Sequence, residues 1–320
     1  MKQYSSSYDN GINVGGTKLE TNILLESGTN ELEVLEFCVG NQHYGINVAK
    51  IKEILPYKEP TLVPNSHKSI EGIYMPRNEI ITVISLYESL NIAKIENKKE
   101  MLIVTNFNKL CVGFHVTKVL GIHRVSWADI LKPDQTISSV GEGLATGIIK
   151  LNDRLIIILD FEKIVADVSP ATTLKMDDVI NLGPRERNEK PVLIAEDSPM
   201  LFQLIKDCLN RAGYNNLILT TNGQEAWDKI SDIVENGNIS RDIACVITDL
   251  EMPKMDGHHL TKLIKSSERL KHIPVIIFSS LVNEEMKKKG EKLGANAQIS
   301  KPEIGTLVET MDKFIFQKQK

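Results

Sequence analysis

Short apolar runs that end in carboxylates mark the second half of the chain. The run 244–248 ends at Asp249, and the run 192–195 ends at Glu196 and Asp197. Such runs are typical of buried strands in a parallel sheet. The carboxyl ends of parallel strands share a crevice, which is the usual ligand site of doubly wound folds. The sequence therefore predicts that these acidic side chains meet at one edge of an α/β sheet.

Two further runs end in residues that complete a chemical pattern. Ser279 follows the run 275–278, and Lys301 follows the run 297–300. Crowded carboxylates repel one another, and an oxygen-only ligand set favours Mg²⁺. Acids, a metal ion, a hydroxyl and an ammonium together indicate a site for a phosphoryl group on a carboxylate nucleophile. In such a site Mg²⁺ and Lys301 neutralise developing charge, and Ser279 donates a hydrogen bond to a phosphoryl oxygen.

This half resembles the response-regulator receiver domain of two-component signalling, on the stretches 192–199, 248–257 and 300–302. The resemblance implies a flavodoxin-like fold, in which a doubly wound, parallel, five-stranded sheet lies between helices. It also assigns roles to individual residues: Asp249 as phosphoacceptor, Glu196 and Asp197 as the acidic pair, Ser279 as the switch hydroxyl, Lys301 as the lysine, and Glu251 as a metal ligand through its backbone carbonyl.

Two departures from the receiver pattern bear on the output. The long stretch that contains 235–238 predicts a surface loop inserted after the second helix. Gln298 stands three residues before Lys301, where many receivers carry an aromatic switch residue. A glutamine cannot rotate against apolar packing as a ring does. We therefore expect phosphorylation to be retained and the output to take another form.

The first half of the chain is mostly strand-like. Short apolar stretches predict strands at 31–39, 79–86, 101–107 and 111–125 and a hairpin over 147–160 that turns at Asn152 and Asp153. The spacing of Val48, Ile51, Ile54 and Leu55 predicts one short helix. Many short strands with few helices favour a β-barrel or a sandwich. The scattered histidines share no metal spacing, so a binding module is favoured over an enzyme.

The stretches 60–64, 70–86 and 147–162 resemble the CheW-like domain, the chemotaxis coupling module. The resemblance implies an all-β domain of two small five-stranded barrels that bridges chemoreceptor tips and the histidine kinase CheA. Arg77-Asn78 stands where the family has Arg-Gly, and Ser85 stands where it has a later Asp. The resemblance implies a partner contact at Arg77, for which a solvated hairpin charge is the alternative interpretation.

A CheW-like domain followed by a receiver resembles the CheV family of chemotaxis proteins. We expect an N-terminal extension at 1–30, a coupling domain at 31–168, a linker at 169–190 and a receiver at 191–320. The linker is charged and rich in breakers, with a short docking helix near 176–182. The family implies an adaptor, and not an enzyme, that couples methyl-accepting chemoreceptors to CheA and is tuned by phosphorylation of Asp249. Adaptation and a phosphate sink both remain open.

Composition agrees with a two-domain protein of the cytoplasm. The chain has 320 residues and a net charge of −4, which gives no electrostatic case for binding nucleic acid or an anionic membrane. Its 4 cysteines include no CxxC pair, so we expect reduced thiols. The start lacks a signal-peptide pattern, and the apolar stretch 155–159 is too short to cross a bilayer. We expect a cytoplasmic protein held at receptor arrays by its partners.

Two alternative functions belong to other classes. An aspartyl phosphatase of the haloacid dehalogenase type also uses a strand-terminal Asp, but it needs an Asp-x-Asp pattern near its first strand. A DNA-binding transcription regulator places a helix-turn-helix after its receiver, and this sequence ends soon after the predicted last helix at 304–311. Turnover of a small phosphomonoester would favour the first alternative, and salt-sensitive binding to duplex DNA would favour the second.

Overall fold

The first half of the protein carries two β-sheets and the second half carries one. The computed structural model describes residues 11–14, 17–20, 30–94, 99–107, 110–133, 143–169, 176–183, 185–236, 243–281 and 284–316. Within these ranges, no helix combines the length and the apolar character needed to span a membrane.

The first sheet has the strand order β2-β1-β5-β8-β9-β7-β6. Its strands are β1 Gly11–Val14, β2 Thr17–Glu20, β5 Ile51–Pro56, β6 Ile70–Tyr74, β7 Ile81–Ser85, β8 Met101–Phe107 and β9 Leu110–Val116. The hairpin of β1 and β2 lies in the predicted N-terminal extension. It joins the five remaining strands through a parallel pairing of Val14 with Ile54.

The second sheet has the order β10-β3-β4-β12-β11. Its strands are β3 Glu31–Val39, β4 Gln42–Asn47, β10 Lys118–Ser126, β11 Ala145–Leu151 and β12 Arg154–Leu159. The predicted hairpin at Asn152 and Asp153 is confirmed, with Leu151 paired to Arg154 across it. Phe37, Phe114 and Phe161 lie in the apolar core that the two sheets share.

The short helix predicted from Val48 to Leu55 is wrong. Residues Val48–Lys50 form one 3-10 turn, and Ile51 then begins strand β5. The Asn47 side chain accepts a hydrogen bond from the Ala49 amide and closes that turn. From Ile51 onward, β-branched side chains pack well on a pleated surface, and β5 pairs with β8 along most of its length. Four apolar residues at helical spacing were too few to separate the two structures.

Two helices complete the first domain. Helix α1, Leu86–Ser89, is capped by the Ser85 side chain. Helix α2, Phe161–Val168, begins at Asp160, whose carboxylate accepts a hydrogen bond from the Lys163 amide at 2.9 Å. A second 3-10 turn, Trp127–Asp129, follows β10.

The second half is a doubly wound domain with a parallel sheet in the order β14-β13-β15-β16-β17. The strands are β13 Val192–Ala195, β14 Leu217–Thr220, β15 Cys245–Thr248, β16 Val275–Ser279 and β17 Ala297–Ser300. The helices are α4 Pro199–Arg211, α5 Gly223–Asn236, α6 Gly257–Ser266, α7 Glu284–Lys292 and α8 Ile304–Phe316. One apolar core lies on each face of the sheet. The predicted fold class is confirmed in both halves; the predicted insertion after α5 falls mainly at 237–242, outside the described residues.

The predicted docking helix of the linker packs on the second domain. Helix α3, Met176–Ile180, contacts α4 and α8, and Val179 is 2% exposed in the same core as those helices. A few residues later the Arg185 guanidinium pairs with the Asp312 carboxylate, which also accepts a hydrogen bond from the Tyr214 hydroxyl at 2.7 Å. The second part of the linker is therefore anchored to the receiver half.

Candidate functional site

The acidic residues predicted from the sequence lie together because their strands are neighbours. In the register of β13 and β15, Ala195 is opposite Thr248, so the residues that follow them emerge side by side. The Asp249 amide donates to the Ala195 carbonyl at 2.9 Å and continues this alignment beyond the strands. The pairing of two buried apolar strands thus places Glu196 and Asp197 next to Asp249.

The cluster offers oxygen ligands and one ammonium. Glu196, Asp197 and Asp249 each contribute a carboxylate oxygen, and these oxygens lie within 4.8 Å of one another. The Lys301 Nζ lies 2.8 Å from Glu196 Oε2 and 3.0 Å from Asp249 Oδ2. Glu196, Asp249 and Lys301 are buried, whereas Asp197 is partly exposed. The structure therefore brings four of the predicted site residues into one compact group.

Burial and mutual repulsion control the protonation of this group. Burial raises the pKa of Asp197 well above its ordinary value, and the charges of Glu196 and Asp249 raise it further. Burial also raises the pKa of Glu196, against the opposing effect of Lys301. Burial alone would lower the pKa of the Lys301 ammonium, but Asp249 and Glu196 raise it well above its usual range. Lys301 therefore stays charged, and its single ammonium lies among three acidic side chains whose oxygens are close enough together to hold a metal ion.

Local sequence fixes the backbone around Asp249. The Leu250 amide donates to Asp249 Oδ1 at 2.6 Å. Gly257 opens helix α6 directly against this segment, where a Cβ atom would lie 1.9 Å from the Asp249 carbonyl oxygen. After the neighbouring strand β13, the Ser198 side chain caps α4 and Pro199 occupies its first turn. Glycine at 257 thus permits the close approach that positions the Asp249 loop.

Three other predicted residues, Ser279, Gln298 and Arg77, make contacts outside this group. Ser279 is buried at the end of β16, next to β15, and its hydroxyl accepts a hydrogen bond from the Leu281 amide at 3.2 Å. Gln298 donates to the Lys287 carbonyl at 2.6 Å and so binds to helix α7. Arg77 is in the β6–β7 connection of the first domain, with its side chain 74% exposed and 3.3 Å from Glu53 Oε2. The structure does not bring Arg77 to the acidic cluster.

Comparison with known proteins agrees with both halves of the fold. The CheW-like domain family matches residues 33–169, and the response regulator receiver domain family matches residues 192–312. The chemotaxis protein CheV3 of Helicobacter pylori is 30% identical over 304 residues, which are 89% of this chain and 95% of that protein. The chain belongs to the CheV family.

Two further relatives support the CheV assignment. The chemotaxis protein CheV2 of Helicobacter pylori is 27% identical over 85% of this chain and 90% of its own length. The chemotaxis protein CheW of Thermotoga maritima is 32% identical over 45% of this chain and 95% of its own length. This CheV-family chain is therefore a chemotaxis coupling protein with a receiver domain of the two-component type.

The chain has a second set of polar residues at the acidic cluster, and these come from the coupling domain. A cavity between the domains is lined by Asn47, Lys50, Asp160 and Glu162 on one side and by residues of the acidic cluster on the other. Sequence analysis missed these four. They lie far from Asp249 along the chain, and the CheW-like stretch 147–162, which includes Asp160 and Glu162, gives no signal that these side chains reach the acidic cluster. Their position at the cluster depends on how the two domains pack together.

Proposed function

We propose that this CheV-family protein is an adaptor that couples chemoreceptors to the histidine kinase CheA and accepts a phosphoryl group on Asp249. The observation that carries the proposal is the arrangement around Lys301, whose ammonium is within 3.0 Å of both Glu196 and Asp249. A buried carboxylate beside a fixed ammonium combines a nucleophile with a stabiliser of the charge that develops on transfer. This combination fits the receiver match at 192–312.

The residues at this edge also fit a magnesium ion. The donor set consists of carboxylate oxygens from Glu196, Asp197 and Asp249 within 4.8 Å of one another, and hard oxygen ligands are those that Mg²⁺ prefers. These residues, with the backbone carbonyl of Glu251, would hold the ion. When bound, Mg²⁺ supplies positive charge that offsets the repulsion between an anionic acceptor and an anionic phosphoryl donor.

The transfer step assigns a role to each polar group. One Asp249 carboxylate oxygen attacks phosphorus in line, and the bond between phosphorus and the donor's histidine nitrogen breaks. That nitrogen keeps the electron pair of the broken bond. The Lys301 ammonium pairs with the phosphoryl oxygens as their charge moves onto the receiver, and the Ser279 hydroxyl donates to one of them. The protein modifies itself and turns over no separate substrate.

The coupling half supplies the partners in this proposal. Its match to the CheW-like domain over 33–169 supports contacts with CheA and with chemoreceptors. Arg77 is exposed on the β6–β7 connection, which makes it available to such a partner. Through these contacts the protein would be cytoplasmic and held at receptor arrays.

Substitution of the acceptor tests the proposal. We expect Asp249→Asn to abolish labelling by acetyl phosphate in Mg²⁺, because the amide is not a nucleophile toward phosphorus. The matched control is Asp228→Asn, an exposed position on α5, which should label as the unmodified protein does. Stoichiometric labelling of Asp249→Asn, measured by mass spectrometry, would show that another residue is the acceptor.

A further inference from the structure

The coupling domain covers the edge of the receiver where Asp249 lies. Four of its residues, together with Asn30 just before its first strand, form what we call the docking face: Asn30, Asn47, Lys50, Trp127 and Glu162. Each of them contacts one of the two receiver loops that follow β15 and β16. The first loop begins with Asp249, directly after β15, and the second follows Ser279, the last residue of β16.

The loop after β15 is held at both of its ends. Glu251 Oε1 accepts a hydrogen bond from Asn47 Nδ2 at 2.8 Å, and Glu251 Oε2 forms an ion pair with Lys50. The side chain of Lys50 is 12% exposed and that of Glu251 is 14% exposed, so this pair is largely shielded from solvent.

Farther along the same loop, Asn30 makes two hydrogen bonds. Its Nδ2 donates to the Lys254 carbonyl at 2.8 Å, and its Oδ1 accepts from the Asp256 amide at 3.0 Å. The Lys254 amide donates to the Trp127 carbonyl at 2.9 Å. The docking face therefore fixes the backbone between Asp249 and helix α6.

The loop after β16 is tied to the same face. The Ser280 hydroxyl donates a hydrogen bond to Glu162 Oε1, and that oxygen lies 3.8 Å from Lys50 Nζ. Ala49 packs against the apolar group of Leu250, Ile277 and Leu281 between the two loops. Lys50 thus links Glu251, on the loop after β15, with Glu162, which accepts the hydrogen bond from the loop after β16.

In the docked arrangement, little space remains around Asp249. Asp249 is 5% exposed, and the cavity between the domains has a volume of about 50 Å³. A space of that size holds a few water molecules. A small phosphoryl donor can diffuse to the site after a minor opening, whereas a histidine on a kinase domain requires the docking face to move away.

Once a phosphoryl group is present, the charge of the cavity also favours undocking. Asp160 and Glu162 of the coupling domain line this cavity with Glu196, Asp197 and Asp249. A phosphoryl group carries between about 1.5 and 2 negative charges and replaces the single charge of the Asp249 carboxylate, so the cavity gains up to about one negative charge. In a partly shielded cavity this charge repels the carboxylates of Asp160 and Glu162, two groups against the single ammonium of Lys50 that it attracts, and the balance weakens docking.

We propose that the coupling domain is a lid on the phosphorylation site: docking of Lys50 and Glu162 on the receiver blocks protein phosphodonors, and phosphorylation of Asp249 favours the undocked arrangement. This proposal rests on the proposed function of Asp249. It adds that the receiver edge and the docking face are binding surfaces for each other, so that undocking exposes both. A partner that binds the docking face would shift the population toward the undocked arrangement and so raise the rate at which the kinase modifies Asp249.

The test measures phosphoryl transfer to the full-length protein from two donors, acetyl phosphate and a phosphorylated histidine-kinase domain. Lys50→Ala and Glu162→Ala each remove one side of the docking contact. The matched control is Lys118→Ala, an exposed lysine at the start of β10. We expect each docking variant to accept phosphoryl from the kinase domain about tenfold faster, which corresponds to about 1.4 kcal/mol in the docking equilibrium. Transfer from acetyl phosphate should change by less than about twofold, since a small donor depends little on undocking.

A second measurement needs no docking variant. Addition of beryllium fluoride with Mg²⁺, a phosphoryl mimic, should increase the radius of gyration of the wild-type protein in small-angle X-ray scattering and leave that of Asp249→Asn unchanged. Equal rates from the kinase domain in wild type and both docking variants would overturn the lid while the acceptor role of Asp249 stands. An unchanged radius of gyration in wild-type protein with beryllium fluoride and Mg²⁺ would overturn it too. Failure of wild type to label from either donor would overturn both the proposed function and the lid.

Discussion

Glu251 illustrates how one residue serves two parts of the molecule. The receiver resemblance gives a role only to its backbone carbonyl, beside the acidic cluster. In the structure its side chain points to the other domain and is held there by Asn47 and Lys50. Through its backbone and its side chain, Glu251 thus connects the acidic edge of the receiver with the coupling domain within a single residue.

Magnesium binding should depend on Asp197. We expect Mg²⁺ to raise the melting temperature of the receiver, because an ion that binds only the folded protein stabilises it by about 2.7 kcal/mol at a concentration 100 times its dissociation constant. Asp197→Asn removes a ligand and one of the mutually repelling charges, so the stabilisation by Mg²⁺ should be lost.

The control for this effect is Asp207→Asn, an exposed position on helix α4. Differential scanning calorimetry with and without Mg²⁺ separates the two variants. If Asp197→Asn and Asp207→Asn gained the same stability from Mg²⁺, the acidic cluster would not be the binding site.

At the scale of elements, sequence analysis succeeded where a single pattern determines a structure. The runs at 192–195 and 275–278 are rich in Val and Ile and are bounded by polar or breaker residues, and β13 and β16 occupy them with an error of at most one residue. The strand ends then placed Asp249, Glu196, Asp197 and Lys301 at one edge. In a parallel sheet the residues that follow each strand emerge at the same edge, so few other arrangements of these side chains are possible.

A structure is not predictable in this way where two patterns are compatible with the residues. Val48 to Leu55 fits a helical period, but the Asn47 cap and the pairing of β5 with β8 decide the outcome. The docking face was beyond reach for a different reason. Asn47 and Glu251 are 204 residues apart in sequence, and a contact of that kind depends on how two finished domains meet. A single sequence contains no periodicity that reports it.

The turn from β15 into helix α6 should be intolerant of any side chain at position 257. Gly257→Ala places a Cβ atom 1.9 Å from the Asp249 carbonyl oxygen, a backbone atom that cannot rotate away. We expect a loss of about 2 to 3 kcal/mol in the free energy of unfolding, typical of overpacking, together with slower labelling of the displaced Asp249.

Gly121→Ala is the matched control, since nothing lies within 4 Å of a Cβ atom there. Urea denaturation, followed through the receiver for Gly257→Ala and through the coupling domain for Gly121→Ala, measures both variants. A loss for Gly257→Ala no larger than that for Gly121→Ala would contradict the close packing of α6 on the Asp249 loop.

For the whole molecule, phosphorylation should change the interdomain contact more than the face near Gln298. Gln298 is fixed to helix α7 by its hydrogen bond to the Lys287 carbonyl, and it lacks a ring that could switch between exposed and buried positions. Hydrogen–deuterium exchange on the labelled protein should therefore rise at 47–50 and 250–256 and change little at 287–298. The opposite distribution would place the output at the Gln298 face.

The anchoring of the linker sets the range of any domain motion. Packed structure in the coupling domain runs to α2, Phe161–Val168, and it resumes with α3, Met176–Ile180, on the receiver. At no more than about 3.6 Å per residue, the intervening stretch can separate its ends by only about 25 to 30 Å. A tether of this length keeps the two surfaces at a millimolar effective concentration of each other. Separation of the two domains would then be local and rapidly reversible. After loss of the phosphoryl group, the receiver would bind the docking face again without diffusing through solution.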